Sequence, residues 1–225
     1  MPDLAMPINS VHPDYAAYKE DAEYTELFFE GEKAVKSAGT KLLPKLSGQS
    51  NDRYKAYKDR AVVFGVVPRT VQALVATAFR KEPSFILPTA LEYLRNDCTG
   101  TGVPLTSFAM RLLAHLLVCG RAGILVDMPK DGGSPFLVLY DGDDLLNWCE
   151  EPGREFVVLE NASLVRDPYD KFEMTELEGW RELSLEDGKY VVRLWESDEK
   201  DTPRIVETSQ PLVFGRPLNY IPFAP

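Results

Sequence analysis

Three groups of residues have the chemical types that a catalytic or binding site needs. His115 and Cys119 stand four positions apart in "SFAMRLLAHLLVC", which puts both on one face of a helix. A thiol beside an imidazole can become an activated nucleophile once a third group orients the ring. No Asn or Asp stands in an evident position to do so, and the end of a helix does not depress a thiol pKa as its start does. Ser107, Arg111 and His115 share a stripe that reads as a solvated or partner-facing edge, so His115 and Cys119 are assigned structural roles. The second group is Asp141, Asp143 and Asp144 in "YDGDDLLNW". It lacks the alternating ligands, sixth-position glycine and closing glutamate of a calcium loop, and reads as a solvated acidic turn at a strand end. The third is "GEKAVKSAGTKLLPKLSGQS", residues 31–50, rich in lysine, glycine and hydroxyl groups. A phosphate-cradling loop requires two spaced glycines, then Lys, then Ser or Thr. Gly39-Thr40-Lys41 reverses the last two, and Ala34 stands where the first glycine belongs. Gly120, Gly123 and Asp127 follow a helix and precede a strand, the reverse of a dinucleotide site. No catalytic residue, metal site or cofactor site is read from these residues.

Charge narrows the classes further. Residues 1–125 hold 15 Lys and Arg against 13 Asp and Glu, a balance of +2, whereas residues 126–225 hold 10 against 22, a balance of −12. An acidic half argues against a conventional nucleic-acid grip, in which cations displace phosphate counterions. It suits a surface that DNA must pass without adhering. Cys98, Cys119 and Cys149 form no CxxC pair, so neither a disulfide framework nor a zinc site is indicated, and burial is expected for Cys119 and Cys149. Runs such as "AVVFGVV" fall short of a membrane span, and the N-terminus lacks a secretory pattern, which points to a cytoplasm-like compartment.

The elements that must position these residues divide the 225-residue chain in two. Residues 1–13 read as a flexible arm and 14–120 as a helical part. A helix is expected from Asp14 to about Glu32, with Tyr15, Tyr18, Ala22, Leu27 and Phe28 inward. Residues 31–50 read as loop. Asn51 or Asp52 caps "DRYKAYKDRAVVF", whose Tyr54, Tyr57, Ala61 and Phe64 recur along one face. Pro68 starts the next helix, which carries a stripe of Val71, Leu74, Val75, Ala78 and Phe79. A further helix covers Thr89 to Asn96, and the strongest runs from Leu105 to Cys119, with Gly120 as its stop. Residues 121–225 read as β-rich, with Asp187-Gly188 as a hairpin turn. The fold class is therefore α+β, helices first and a mostly antiparallel sheet second. The apolar ending "PLNYIPFAP" suggests the N-terminal part of a longer polypeptide.

Residues 31–60 carry a balance of +5, and residues 14–30 hold six acids and one lysine. Interleaved basic and aromatic side chains could bind nucleic acid. The preferred reading pairs the two stretches, within the protein or across a subunit interface.

Several ordered blocks resemble the N-terminal half of portal-like proteins from short-tailed bacteriophages. They are "HPDYAAYKEDAEYTELFFEGEKAVKSAGTKLLPKLSGQS", "YKAYKDRAVVFGVVPRTVQALVATAFRKEP" and "LLVCGRAGILVDMP", and the likeness resumes at "PLNYIPFAP". The hallmarks are Gly31-Glu32-Lys33, Leu43-Pro44 followed by Leu46, Tyr54 and Tyr57. Arg69-Thr70-Val71, Phe79-Arg80-Lys81, Gly120-Arg121-Ala122-Gly123 and Leu125-Val126-Asp127 follow in the same order. Gly65-Val66-Val67-Pro68 departs from the family pattern. The resemblance implies a wing-like α+β portion of a ring subunit, typically of twelve copies, at one capsid vertex. It implies the major capsid protein, a tail adaptor protein and, during packaging, the terminase as partners. Double-stranded DNA would pass non-specifically during packaging and ejection. The implied locations are the virion and, during assembly, the host cytoplasm, with no membrane and no enzymatic role. The stem, clip and crown residues have no counterpart here. On this reading Glu20, Glu23 and Glu26 complement Lys33, Lys36, Lys41 and Lys45 between neighbouring subunits. The alternative is an intracellular α+β enzyme or binding module using His115 and Cys119 or the Asp141 cluster.

Overall fold

The computed structural model describes residues 7–129, 133–166, 172–198, 202–213 and 215–225. It is an α+β fold, with helices in the first half and antiparallel sheets in the second. The expected strand runs ending at Asp167 and Phe214 extend to positions outside the described residues, as do residues 1–6 of the expected arm.

Helix α1 spans Pro13–Glu30, opened by His12, whose ring accepts from the Asp14 N–H. Its inward positions are Tyr15, Tyr18, Ala22, Glu26 and Phe29, a helical repeat that leaves Phe28 outside. Gly31, with φ of +94°, lets the chain turn back into α2, Glu32–Ser37, a helix inside the segment expected to be loop. Ser50, not Asn51 or Asp52, caps α3, Asn51–Arg60, by accepting from the Arg53 N–H. That helix stops at Arg60, and 61–65 run outside any helix, so the expected apolar face through Phe64 is not a helical face. Helix α4, Val66–Ala78, begins two residues before Pro68 and buries Val71 and Val75, leaving Leu74 exposed. Residues 89–95 form 3-10 turns rather than an α-helix. Helix α5, Leu105–Cys119, ends as expected at Gly120, φ +77°. It turns Leu116 outward and buries Phe108, Val118 and Cys119.

Strands β1, Ala122–Asp127, and β2, Phe136–Asp141, pair in a three-stranded sheet with the C-terminal strand, Phe223–Ala224. A second sheet orders β3 (Leu145–Cys149), β4 (Phe156–Glu160), β7 (Gly179–Glu186), β8 (Lys189–Ser197) and β9 (Pro203–Ser209). Between β4 and β7 in sequence, β5, Ser163–Arg166, and β6, Met174–Leu177, form a separate two-stranded ribbon. The β7–β8 turn uses Asp187 and Gly188 at φ of +49° and +70°, the backbone that a two-residue hairpin demands.

Adjacent residues of each strand point to opposite faces, and both faces of the five-stranded sheet are covered over β3, β4, β7 and β8, while β9 at its edge buries no residue. Leu145, Leu159, Leu183, Tyr190 and Val192 pack with Leu125 and Tyr140 of the smaller sheet. Leu146, Val158 and Trp180 face Tyr15 of α1 on the other side. This explains why Val191 is buried as well as its neighbours Tyr190 and Val192. A third cluster joins α4 to α5 through Val71, Val75, Val118 and Cys119.

Candidate functional site

The helical and β parts meet at α1, α5 and the turn Gly142–Asp144 that joins β2 to β3. Tyr18 presses its hydroxyl onto Gly142, where an added Cβ would lie 2.0 Å from the oxygen. Asp141 and Asp144 close a reciprocal capping box around the turn, with the Asp141 N–H donating to Asp144 Oδ2 at 2.8 Å. The Tyr15 hydroxyl donates to the Asp143 carbonyl at 3.0 Å. Arg121 leaves the end of α5 and donates to the Leu145 carbonyl at 2.7 Å, its guanidinium over the rings of Tyr18 and Trp148. The His12 ring stacks on Trp148 with centroids 4.1 Å apart, and the His12 N–H donates to the Leu146 carbonyl. Residues 8–12 of the expected flexible arm are thereby docked, with Ile8 packed into the cluster below α1.

Beside this joint lies a cleft of about 430 Å³ lined by Glu26, Arg111, His115, Cys119 and the acidic turn. Two groups that the sequence offered as separate possibilities share this cleft. His115 Nδ1 lies 2.8 Å from Asp141 Oδ1, so an aspartate does orient the imidazole, contrary to expectation. Their partnership crosses from α5 to the end of β2 and has no sequence spacing. The hydrogen bond to Asp141 is the main cause raising the His115 pKa.

Cys119 donates its thiol proton to Glu26 Oε1 at 2.9 Å. Burial first, then that bond and the surrounding carboxylates, push the thiol pKa well above its ordinary value. Glu26 is itself raised, chiefly by desolvation, and Asp144 is pushed up to about 6 for the same leading reason. Asp141, Asp143 and Asp144 are each half-buried, so the acidic turn is not the solvated one expected. Among the described residues no set of His, Cys, Asp and Glu has metal-binding geometry. Cys119 is buried as expected, Cys149 is only half-buried, and Cys98, for which no burial was read, is fully buried.

The proposed interface residues are distributed differently. Lys41 forms an ion pair with Glu23 inside the chain, because the Gly31 turn folds the basic segment back beside α1. Lys36 donates to Glu32 at 2.7 Å and to the Asp59 carbonyl, and Lys45 donates to Asn51 at 2.7 Å. Glu26 faces Cys119. Glu20 and Lys33 are exposed. The basic and acidic stretches thus meet within one chain through Lys41 and Glu23.

Besides the His115–Asp141 contact, sequence reasoning did not find two further arrangements. Glu26 as the partner of Cys119 was legible in principle, because it lies on the face marked by Tyr15, Tyr18 and Ala22. The Arg181–Asp127 pair was not, since it joins β7 to β1 at 2.7 Å on both prongs across the two sheets. No helix of the described residues is long and apolar enough to cross a membrane. No protein-family model matches the chain, and no curated protein matches it.

Proposed function

We propose that the chain is a structural subunit of a portal-like ring at a phage capsid vertex, a conduit for DNA packaging and ejection. Apolar exposure supports this reading beyond the resemblance: Ile86, Val62 and Phe64 are 96, 85 and 73% exposed, as suits a subunit whose faces are covered by neighbours. The acidic second half fits a path that repels duplex DNA. The proposed partners are further copies of the chain, the major capsid protein, a tail adaptor and the terminase. Electron microscopy of the purified protein tests the reading. Closed rings, typically of twelve copies, are expected, and a monomer at every concentration overturns it.

A second reading, a thiol enzyme, has the His115–Asp141 contact in its favour. Against it stands Cys119, whose proton is held by Glu26. Alkylation by iodoacetamide at pH 7.5 separates the two readings. On the structural reading Cys119 reacts at least ~100-fold more slowly than a free thiol, while accelerated, His115-dependent labelling would favour the enzyme.

A further inference from the structure

Two elements of the fold lack what isolated elements need to persist. Helix α3 buries none of its ten residues, and a helix this short is marginal in water without a packed face. Among the described residues its tethers run to the segment before it: Tyr54 Oη donates to the Leu43 carbonyl at 2.9 Å, Lys36 to the Asp59 carbonyl and Lys45 to Asn51. The extended residues after it present Val62 and Phe64 outward. Its exposed charges are Arg53, Lys55 and Arg60 against Asp52 and Asp59, with Lys58 half-buried, a net positive balance.

The β5–β6 ribbon has the complementary character. It pairs Ser163 with Leu177 and Arg166 with Met174, and it belongs to neither larger sheet. Two isolated strands are at best marginally stable in water. Neither strand buries a residue, and Leu164, Val165 and Met174 are exposed. Glu173, Glu176 and Glu178 are exposed beside them, with Arg166 the one base among the ribbon's described residues.

We infer that the arm made of α3 and residues 61–66 of one copy docks on the β5–β6 ribbon of the next copy. The contact joins different surfaces of identical chains, which is the heterologous geometry that closes into a ring. Valine and phenylalanine meet leucine and methionine at its centre, and arginine and lysine meet glutamate at its rim. Each copy gives one face and receives another. This inference rests on the ring reading.

A charge exchange tests it, with mass photometry of the full chain as the readout. Wild-type protein is expected to assemble. The triple variant Arg53→Glu, Lys55→Glu, Arg60→Glu is expected to assemble roughly 100-fold more weakly, because like charges then face each other. The variant Glu173→Lys, Glu176→Lys, Glu178→Lys should fail in the same way. Combining all six should restore assembly to within about tenfold of wild type. Recovery in the six-fold variant requires both elements to be folded and touching, so misfolding cannot imitate it. Wild-type rings indifferent to either triple variant, or no recovery on combination, overturn the inference and leave the ring reading standing. A wild-type chain that never assembles overturns both.

Discussion

The five-stranded sheet and residues 51–66 contain similar side chains and use them oppositely. Leu159 and Leu183 in the sheet are fully buried, while Val62 and Phe64 beyond α3 stand in solvent. Apolar content therefore does not decide burial here; access to a second covered face does. The sheet gathers distant strands through its ladder, then receives α1 on one face and the smaller sheet on the other. Helix α3 has only its own hydrogen bonds and a thin tether. One region is stable through its own contacts, and the other depends on what covers it.

The largest effect that should separate them lies where the two sheets meet. Arg181 and Asp127 are 14 and 15% exposed and joined by two 2.7 Å bonds. Arg181→Ala leaves the largely buried Asp127 carboxylate without its countercharge, with the Met128 N–H still donating to it, which costs about 3 to 5 kcal/mol. Urea unfolding should show it as a lower midpoint. A loss below about 1 kcal/mol would mean that the sheets hold together without the pair.

A smaller loss is expected where the helical and β parts meet. Gly142→Ala drives a methyl into the Tyr18 hydroxyl and within 2.8 Å of Arg121 Cγ. Overpacking of this kind costs about 1 to 3 kcal/mol. An unchanged melting temperature would show that Tyr18 can move aside, so that the joint is softer than its packing suggests.

The same joint should respond to pH in a direction set by three groups. Burial raises Asp144 from 3.8 to about 6 and also raises Glu26, while the bond to Asp141 raises His115 above 6.5. Each group holds its proton better folded than unfolded, so its contribution is full below the unfolded pKa and is lost as pH rises through the folded one. Between pH 4 and 6 the Asp144 part of that fall should amount to about 1 to 2 kcal/mol, discounted for solvent exposure. Asp144→Asn keeps the acceptor for the Asp141 N–H and should flatten this interval. An equal slope in wild type and variant would assign the fall elsewhere.

How much of this was legible in sequence follows the same division. Helix α5 and its Gly120 stop, and the Asp187-Gly188 hairpin, were readable because local spacing and turn chemistry determine them. The α+β order was readable from periodicity. The His115–Asp141 contact and the Arg181–Asp127 pair were not, because each joins residues brought together only by sheet register and helix packing. The face of α3 was misread for another reason. Tyr54, Tyr57, Ala61 and Phe64 have helical spacing, but the helix ends at Arg60 and none of its residues is buried by the described chain. Periodicity reports a surface suited to burial without saying whether the same chain buries it.

The smallest expected effect sharpens that last distinction. Val62 and Phe64 are 85 and 73% exposed, and the one ring contact described for Phe64 is the Arg69 guanidinium 5.2 Å from its centroid. In dilute, unassembled protein, replacing both with serine removes almost no buried area, so the unfolding free energy should stay within about 0.5 kcal/mol of wild type. Comparable truncation in the sheet, such as Leu183→Ala, should cost about 2 to 5 kcal/mol. A loss above about 1.5 kcal/mol for the serine pair would mean that residues 61–66 pack on their own chain in solution. The arm would then join the sheet as a self-supporting region, and its apolar side chains would no longer be free to meet a neighbour.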